Sequence, residues 1–124
     1  MKQQRISAAD AKALLQKPKK AKYRNVRVVI DGITFDSKRE GAYYAELKIR
    51  ERAGEVSGVD LQTPFALIGP DGLLISTYRA DFSFWDHTED RFRVIDVKGV
   101  ETKEFRIKKR LMKSLKGIEI EVVR

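Results

Sequence analysis

Residues 78–100, "YRADFSFWDHTEDRFRVIDVKGV", decide both the fold and the site. In a strand through its second half, Phe92, Val94, Asp96 and Lys98 share one face, and Arg91, Arg93, Ile95 and Val97 share the other. A strand apolar enough for an interior therefore ends with an acid and a lysine on the face that Phe92 and Val94 began. The segment "DHTED" is turn chemistry. A hairpin centred between Thr88 and Glu89 places Asp81 directly across from Asp96. Cross-strand neighbours have Cβ atoms about 4.5–5.5 Å apart, and like charges so placed repel. A hard divalent cation such as Mg²⁺ offsets that repulsion, because it prefers carboxylate and carbonyl oxygens. A lysine beside it can orient the attacking water and stabilise charge on an attacked phosphate. A Lys98 salt bridge at a strand end is the simpler account of the same residues.

Working outward, "VRVVIDGITFDS" holds two β-rich runs joined by Asp31-Gly32, the signature of a tight hairpin. Ser37 and Glu40 have capping-box spacing, which predicts a helix from about Lys38 to Ala53 ended by Gly54. Pro70-Asp71-Gly72 turns a pair of strands. Thr102 caps a second helix through about Leu115, Gly117 terminates it, and "IEIEVV" is a last strand. The order predicts an α/β fold, a mixed sheet flanked by helices, with an N-terminal β-hairpin.

At about 100° per residue, Glu40 falls between Leu47 and Glu51 with Tyr43 and Tyr44 flanking it, while Ala42, Ala45, Ile49 and Ala53 gather opposite. A carboxylate in a Tyr/Leu stripe is a candidate third acid for the sheet, and the capping box explains it equally well. On the second helix, Ile107, Leu111, Met112 and Leu115 form the expected apolar stripe. Lys103, Arg106, Lys109, Arg110, Lys113 and Lys116 share the other side without an acid among them. A solvated helix usually mixes signs, so this face points to phosphate backbones.

Charge is uneven along the 124 residues. Residues 1–24 carry eight of the 26 Lys and Arg against Asp10 alone, in a chain of net charge +8. This basic arm, with Lys19, Lys20 and Lys22 around Pro18, is a footprint of polyanion binding or a solvated leader. The remainder, 25–124, reads as one domain. The chain has no cysteine, which removes disulfides and thiolate metal sites and suits a reducing cytosol. No apolar run approaches the roughly 18 residues of a membrane span, so a soluble cytoplasmic protein is expected. His87, the single histidine, falls in a turn as a solvated side chain. Phe82, Phe84 and Trp85 read as packing residues rather than base-stacking ones.

The succession "SKREGAYYAELKIRERAGEV", "DLQTPFAL", "YRADFSFWD", "VIDVKG" and a basic second helix resembles the PD-(D/E)XK nuclease superfamily. It is most similar to a small branch encoded by bacteriophages and prophages, related in pattern to Holliday junction resolvases. The resemblance covers about residues 26–124 and implies a restriction-endonuclease-like αβββαβ core. It also implies that Glu40, Asp81 and Asp96, with the Val97 carbonyl, hold one or two Mg²⁺ or Mn²⁺, that Lys98 assists catalysis, and that Gln62 flanks the site. Ala80 stands where the motif has its proline. The implied function is a metal-dependent DNA endonuclease selective for branched DNA, acting as a homodimer. The rivals are a non-catalytic DNA-binding protein that keeps the fold and an endonuclease subunit that needs a recombination or transposition partner.

Overall fold

The computed structural model describes residues 26–124. Lys19, Lys20, Lys22 and the rest of the basic arm lie outside the described residues. The chain divides between Lys38 and Arg39. Before the division lies the hairpin of β1 (Val28–Ile30) and β2 (Ile33–Phe35), paired antiparallel. Its two-residue turn needs left-handed backbone at both positions, and Asp31 (φ 54°) and Gly32 (φ 77°) supply it.

From Arg39 onward the chain forms one compact unit: α1 (Lys38–Arg52) enters it, followed by β3 (Val56–Ile68), β4 (Leu74–Asp86), β5 (Arg91–Val97), α2 (Lys103–Lys116) and β6 (Ile120–Val123). The four strands form one sheet in the order β3-β4-β5-β6. The first three are antiparallel neighbours, and β6 runs parallel to β5 because α2 carries the chain back between them. Thr102 accepts the Phe105 N–H at 3.1 Å as N-cap of α2, and Gly117 ends it in left-handed backbone (φ 68°).

Two apolar layers hold the sheet. On one side Phe105 and Met112 of α2 are buried with Leu67, Tyr78, Ala80, Val94 and Ile120. The stripe expected on this helix is thereby corrected. Ile107 is 49 % exposed, while Phe105, seven residues before Met112, faces the sheet instead. On α1, Tyr44 and Leu47 are buried and Ala42, Ile49 and Ala53 are exposed, as the helical spacing expects.

The alternation of β4 breaks at one residue. Plain period-two alternation puts Ala80 and Phe82 on the same face. Ala80, however, packs with Val94 in the α2 layer, whereas Phe82 pairs with Ile95 and meets the Tyr43 ring of α1 at 5.3 Å. Val94 and Ile95 are consecutive in β5 and so point to opposite faces. The strand therefore changes face between Ala80 and Phe82, at Asp81. Across the ladder Leu61 pairs with Phe82 and Thr63 with Ala80, with Gln62 opposite Asp81 in left-handed backbone (φ 53°). A residue in that region twists the strand sharply, as bulged strands do.

Candidate active site

The β4–β5 register follows the hairpin centred between Thr88 and Glu89, with pairs from Asp86↔Arg91 to Phe82↔Ile95. One step further the strands part. Asp81 reaches across with its side chain instead of its backbone, and its Oδ2 accepts the Val97 N–H at 2.8 Å. Beyond this point β5 continues beside β6 through Val97↔Val123, and the Lys98 N–H donates to the Val123 carbonyl at 2.9 Å. The N–H and C=O of one strand residue point to the same edge. The Val97 carbonyl thus faces β4 and the acids.

Asp96 is 3 % exposed, and both its oxygens are engaged. Oδ2 accepts the Tyr78 hydroxyl at 2.6 Å, and Oδ1 lies 3.1 Å from the Lys98 ammonium. The ammonium stands over the Phe105 ring, 4.6 Å from its centroid. Burial pushes the Asp81 carboxyl up to about 6, and the charge of Asp96 adds to the rise. The Val97 N–H, the Gln62 amide (3.4 Å) and Lys98 pull the other way. Burial, the bond to Asp96 and that acid's charge also hold the Tyr78 phenol far above its ordinary value.

The structure thus brings together Gln62, Asp81, Asp96, Val97 and Lys98. Glu40 lies half-buried in the first turn of α1. Its level along the sheet follows from two contacts: Tyr43 meets Phe82, and Arg50 Nη2 donates to Asp86 at 3.2 Å. α1 therefore runs beside β4 in the same direction. Glu40, three residues before Tyr43, lies about 4.5 Å back along the helix axis, which by this count sets it level with Ala80 and Asp81. Among the described residues no three His, Cys, Asp or Glu side chains are grouped as a ready metal cage. The assembled part of the expected set is the Asp81–Asp96 pair.

Tyr78 escapes a reading of the sequence. Strict alternation sends it to the face opposite Asp81, and only the break at Asp81 returns it to Asp96. A second missed cluster is structural. Asp86, with no exposed surface, accepts from the Thr88 hydroxyl and N–H, the Glu89 N–H, Arg93 and Arg50. Arg93 also grips Glu121 through two nitrogens at 2.9 and 2.6 Å. The network joins α1, β4, β5 and β6 at the end of the sheet away from Lys98. His87 is exposed and bonds Ser57 at 2.8 Å, as its turn position expects. Phe82 and Phe84 are fully buried, and Trp85, 38 % exposed, stands across from Phe92 in the β4–β5 ladder.

Residues 20–122 match the family described as "Protein of unknown function (DUF1064)". The chain belongs to this family. Neither the comparison with curated proteins nor that with solved structures returned a match.

In this DUF1064 chain the basic face of α2 is not a flat surface. Arg106, Lys109, Arg110 and Lys113 line a groove of about 260 Å³ with Glu101, Glu119 and Ile120. Glu101 is engaged by Arg124 at 2.6 Å, and Glu119 by Lys113 at 3.2 Å. Lys109 and Arg110 have no carboxylate partner among the described residues. Lys103 and Lys116 extend the cationic face at its two ends and are exposed. No described helix is long and apolar enough to cross a membrane.

Proposed function

We propose that this chain is a Mg²⁺- or Mn²⁺-dependent DNA endonuclease built on a restriction-endonuclease-like core. The observation that carries this reading is the convergence of Asp81, Asp96 and Lys98 where β4 and β5 part, with the Asp81 carboxyl pushed up to about 6. A half-buried and a buried carboxylate side by side cost free energy in the folded chain, and such an arrangement is characteristic of sites that bind a cation or do chemistry.

The donors suit the ion. Two carboxylates and the Val97 carbonyl are hard oxygen ligands, and Mg²⁺ typically takes one or two carboxylates and keeps several waters. Asp81 and Asp96 would hold it, the Val97 carbonyl would join them, and Glu40 from α1 would complete the acids. A bound Mg²⁺ would supply the positive charge that activates water and neutralises the attacked phosphate. Lys98, released from Asp96 Oδ1 as the cation takes up that charge, would face the phosphate and stabilise the developing negative charge. Gln62 would hold Asp81 in its orientation. Water attack in line with the departing 3′ oxygen leaves 5′-phosphate and 3′-hydroxyl ends.

The groove on α2 supports the substrate. Lys103, Arg106, Lys109, Arg110, Lys113 and Lys116 are suited to phosphates, which position a duplex without reading its bases. Recognition by shape follows, with branched DNA such as a four-way junction as the preferred substrate and a homodimer as the working form. The test uses the purified full chain with labelled four-way junction, duplex and single strands. Mg²⁺-dependent cutting of the junction is expected, and binding without cutting of any substrate overturns the endonuclease reading.

Acidity gives a second check. A protonated Asp81 cannot ligate a cation, so Mn²⁺ affinity rises as pH rises through the Asp81 value of about 6. Titration calorimetry at about pH 5, 6 and 7 is expected to show this increase, and a flat profile removes Asp81 from the ligand set.

A further inference from the structure

We infer that Tyr78 and Phe105 are the positioning residues of this site, Tyr78 fixing the direction of the Asp96 carboxylate and Phe105 holding the Lys98 ammonium beside it. The inference rests on the endonuclease reading and deepens it, because it assigns the aromatic wall behind the acids to the orientation of the reacting groups.

A buried carboxylate must have its oxygens met by donors, and Asp96 has two. A phenol has one proton to give. Tyr78 gives it to Oδ2 at 2.6 Å, the length of a hydroxyl bond to an ionised acceptor. Oδ1 is left to Lys98 at 3.1 Å and is the oxygen a cation must share. The phenol is itself held still. Its ring is 3 % exposed, stacked on Phe65 at 6.2 Å and tilted against Phe105 at 6.3 Å. A hydroxyl presented by a clamped ring allows the carboxylate one rotation about its last bond.

Lys98 poses the opposite problem. A lysine is a compact charge on a flexible stem, so something must limit where the charge goes. The Phe105 ring lies 4.6 Å from the ammonium and attracts it by its electron-rich face. Phe105 is fixed in turn by its place in the first turn of α2, where its N–H donates to the Thr102 hydroxyl, and by burial in the α2 layer. The start of α2 and the middle of β4 thus present one ring each to the site. Outer groups that orient metal ligands commonly change affinity or activity about 10- to 100-fold when removed.

The experiment measures Mn²⁺ binding by titration calorimetry and junction cleavage for the full wild-type chain, Tyr78→Phe and Phe105→Leu. Tyr78→Phe keeps the ring and loses only the hydroxyl, so a role in packing alone predicts wild-type Mn²⁺ affinity. The expected result is an affinity weakened about tenfold or more, with a cooperative melting transition retained. Phe105→Leu is expected to lower turnover about tenfold with KM unchanged, because it frees the lysine, and to weaken Mn²⁺ affinity less than Tyr78→Phe does, because the Tyr78 ring keeps its stack on Phe65 and its hydroxyl on Asp96. Unchanged Mn²⁺ affinity in Tyr78→Phe overturns the inference and leaves the endonuclease reading standing. A wild-type chain that binds no Mn²⁺ overturns that reading itself, and the inference with it. Should Tyr78→Phe fail to fold, the Phe105→Leu arm decides: unchanged turnover overturns the inference.

Discussion

Asp96→Asn is expected to lower Mg²⁺-dependent cleavage of branched DNA by about 10³-fold while leaving DNA binding intact. Asparagine has nearly the shape of aspartate, so the layer around Val94 and Met112 is not disturbed. What is lost is charge. The proposed cation would lose one of its carboxylate ligands, and the amide has a single oxygen to offer where the Tyr78 hydroxyl and the Lys98 ammonium now each meet one. Lys98→Met separates the roles further. It removes the cation that shares Asp96 Oδ1, so Mn²⁺ affinity should hold or tighten while cleavage falls about 10²-fold or more. Gel assays with labelled junction and calorimetry with Mn²⁺ give the two readouts. Cleavage surviving in Asp96→Asn at wild-type rate removes the acid from the chemistry.

The largest effect on folding is expected at Asp86. Asp86→Ala strips the acceptor from two turn N–H groups, the Thr88 hydroxyl and two guanidinium groups at once. Removing one side of a deeply buried ion pair costs about 3–5 kcal/mol. Asp86 has no exposed surface but lies under only a thin cover of arginine and turn atoms, and Glu121 and Glu55 still engage Arg93 and Arg50. A loss of about 2–3 kcal/mol in urea unfolding is therefore expected. The Thr88 hydroxyl, then Arg93, the Glu89 N–H and Arg50, hold the Asp86 carboxyl well below its usual range despite burial. A depressed folded value means that this stabilisation is fully present above about pH 4 and is lost as pH falls toward the folded value. Acid unfolding should accordingly be shallower in Asp86→Ala than in wild type. A variant as stable as wild type at neutral pH, with the same acid profile, refutes the account.

Much of the fold is legible because it depends on neighbours in the chain. Asp31-Gly32 and Pro70-Asp71-Gly72 make turns through local backbone preference, and Thr102 and Gly117 delimit α2 through groups within five residues of each. The site was half legible for the same reason. A hairpin turn at 87–90 sets the register by counting from Asp86↔Arg91 to Phe82↔Ile95, but the expected Asp81↔Asp96 pair does not form in the ladder, and Asp81 reaches across with its side chain to the Val97 N–H instead. Helical spacing puts Ile107 in the α2 stripe, whereas Phe105 is the residue buried against the sheet, because spacing orders residues around the axis but does not say which arc meets the sheet.

What the sequence determined by itself, then, is the set of elements, their order, the β4–β5 register as far as Phe82↔Ile95, and the placing of Asp96 and Lys98 on one face at the end of β5. The tertiary structure alone decided the rest: the change of face at Asp81, the left-handed Gln62 opposite it, the Tyr78 hydroxyl on Asp96 and the Phe105 ring under Lys98. The physical reason is range. Turns, caps and hairpin registers are settled by interactions a few residues long, whereas a twist in one strand is set by the strand beside it and by the helices packed on both faces.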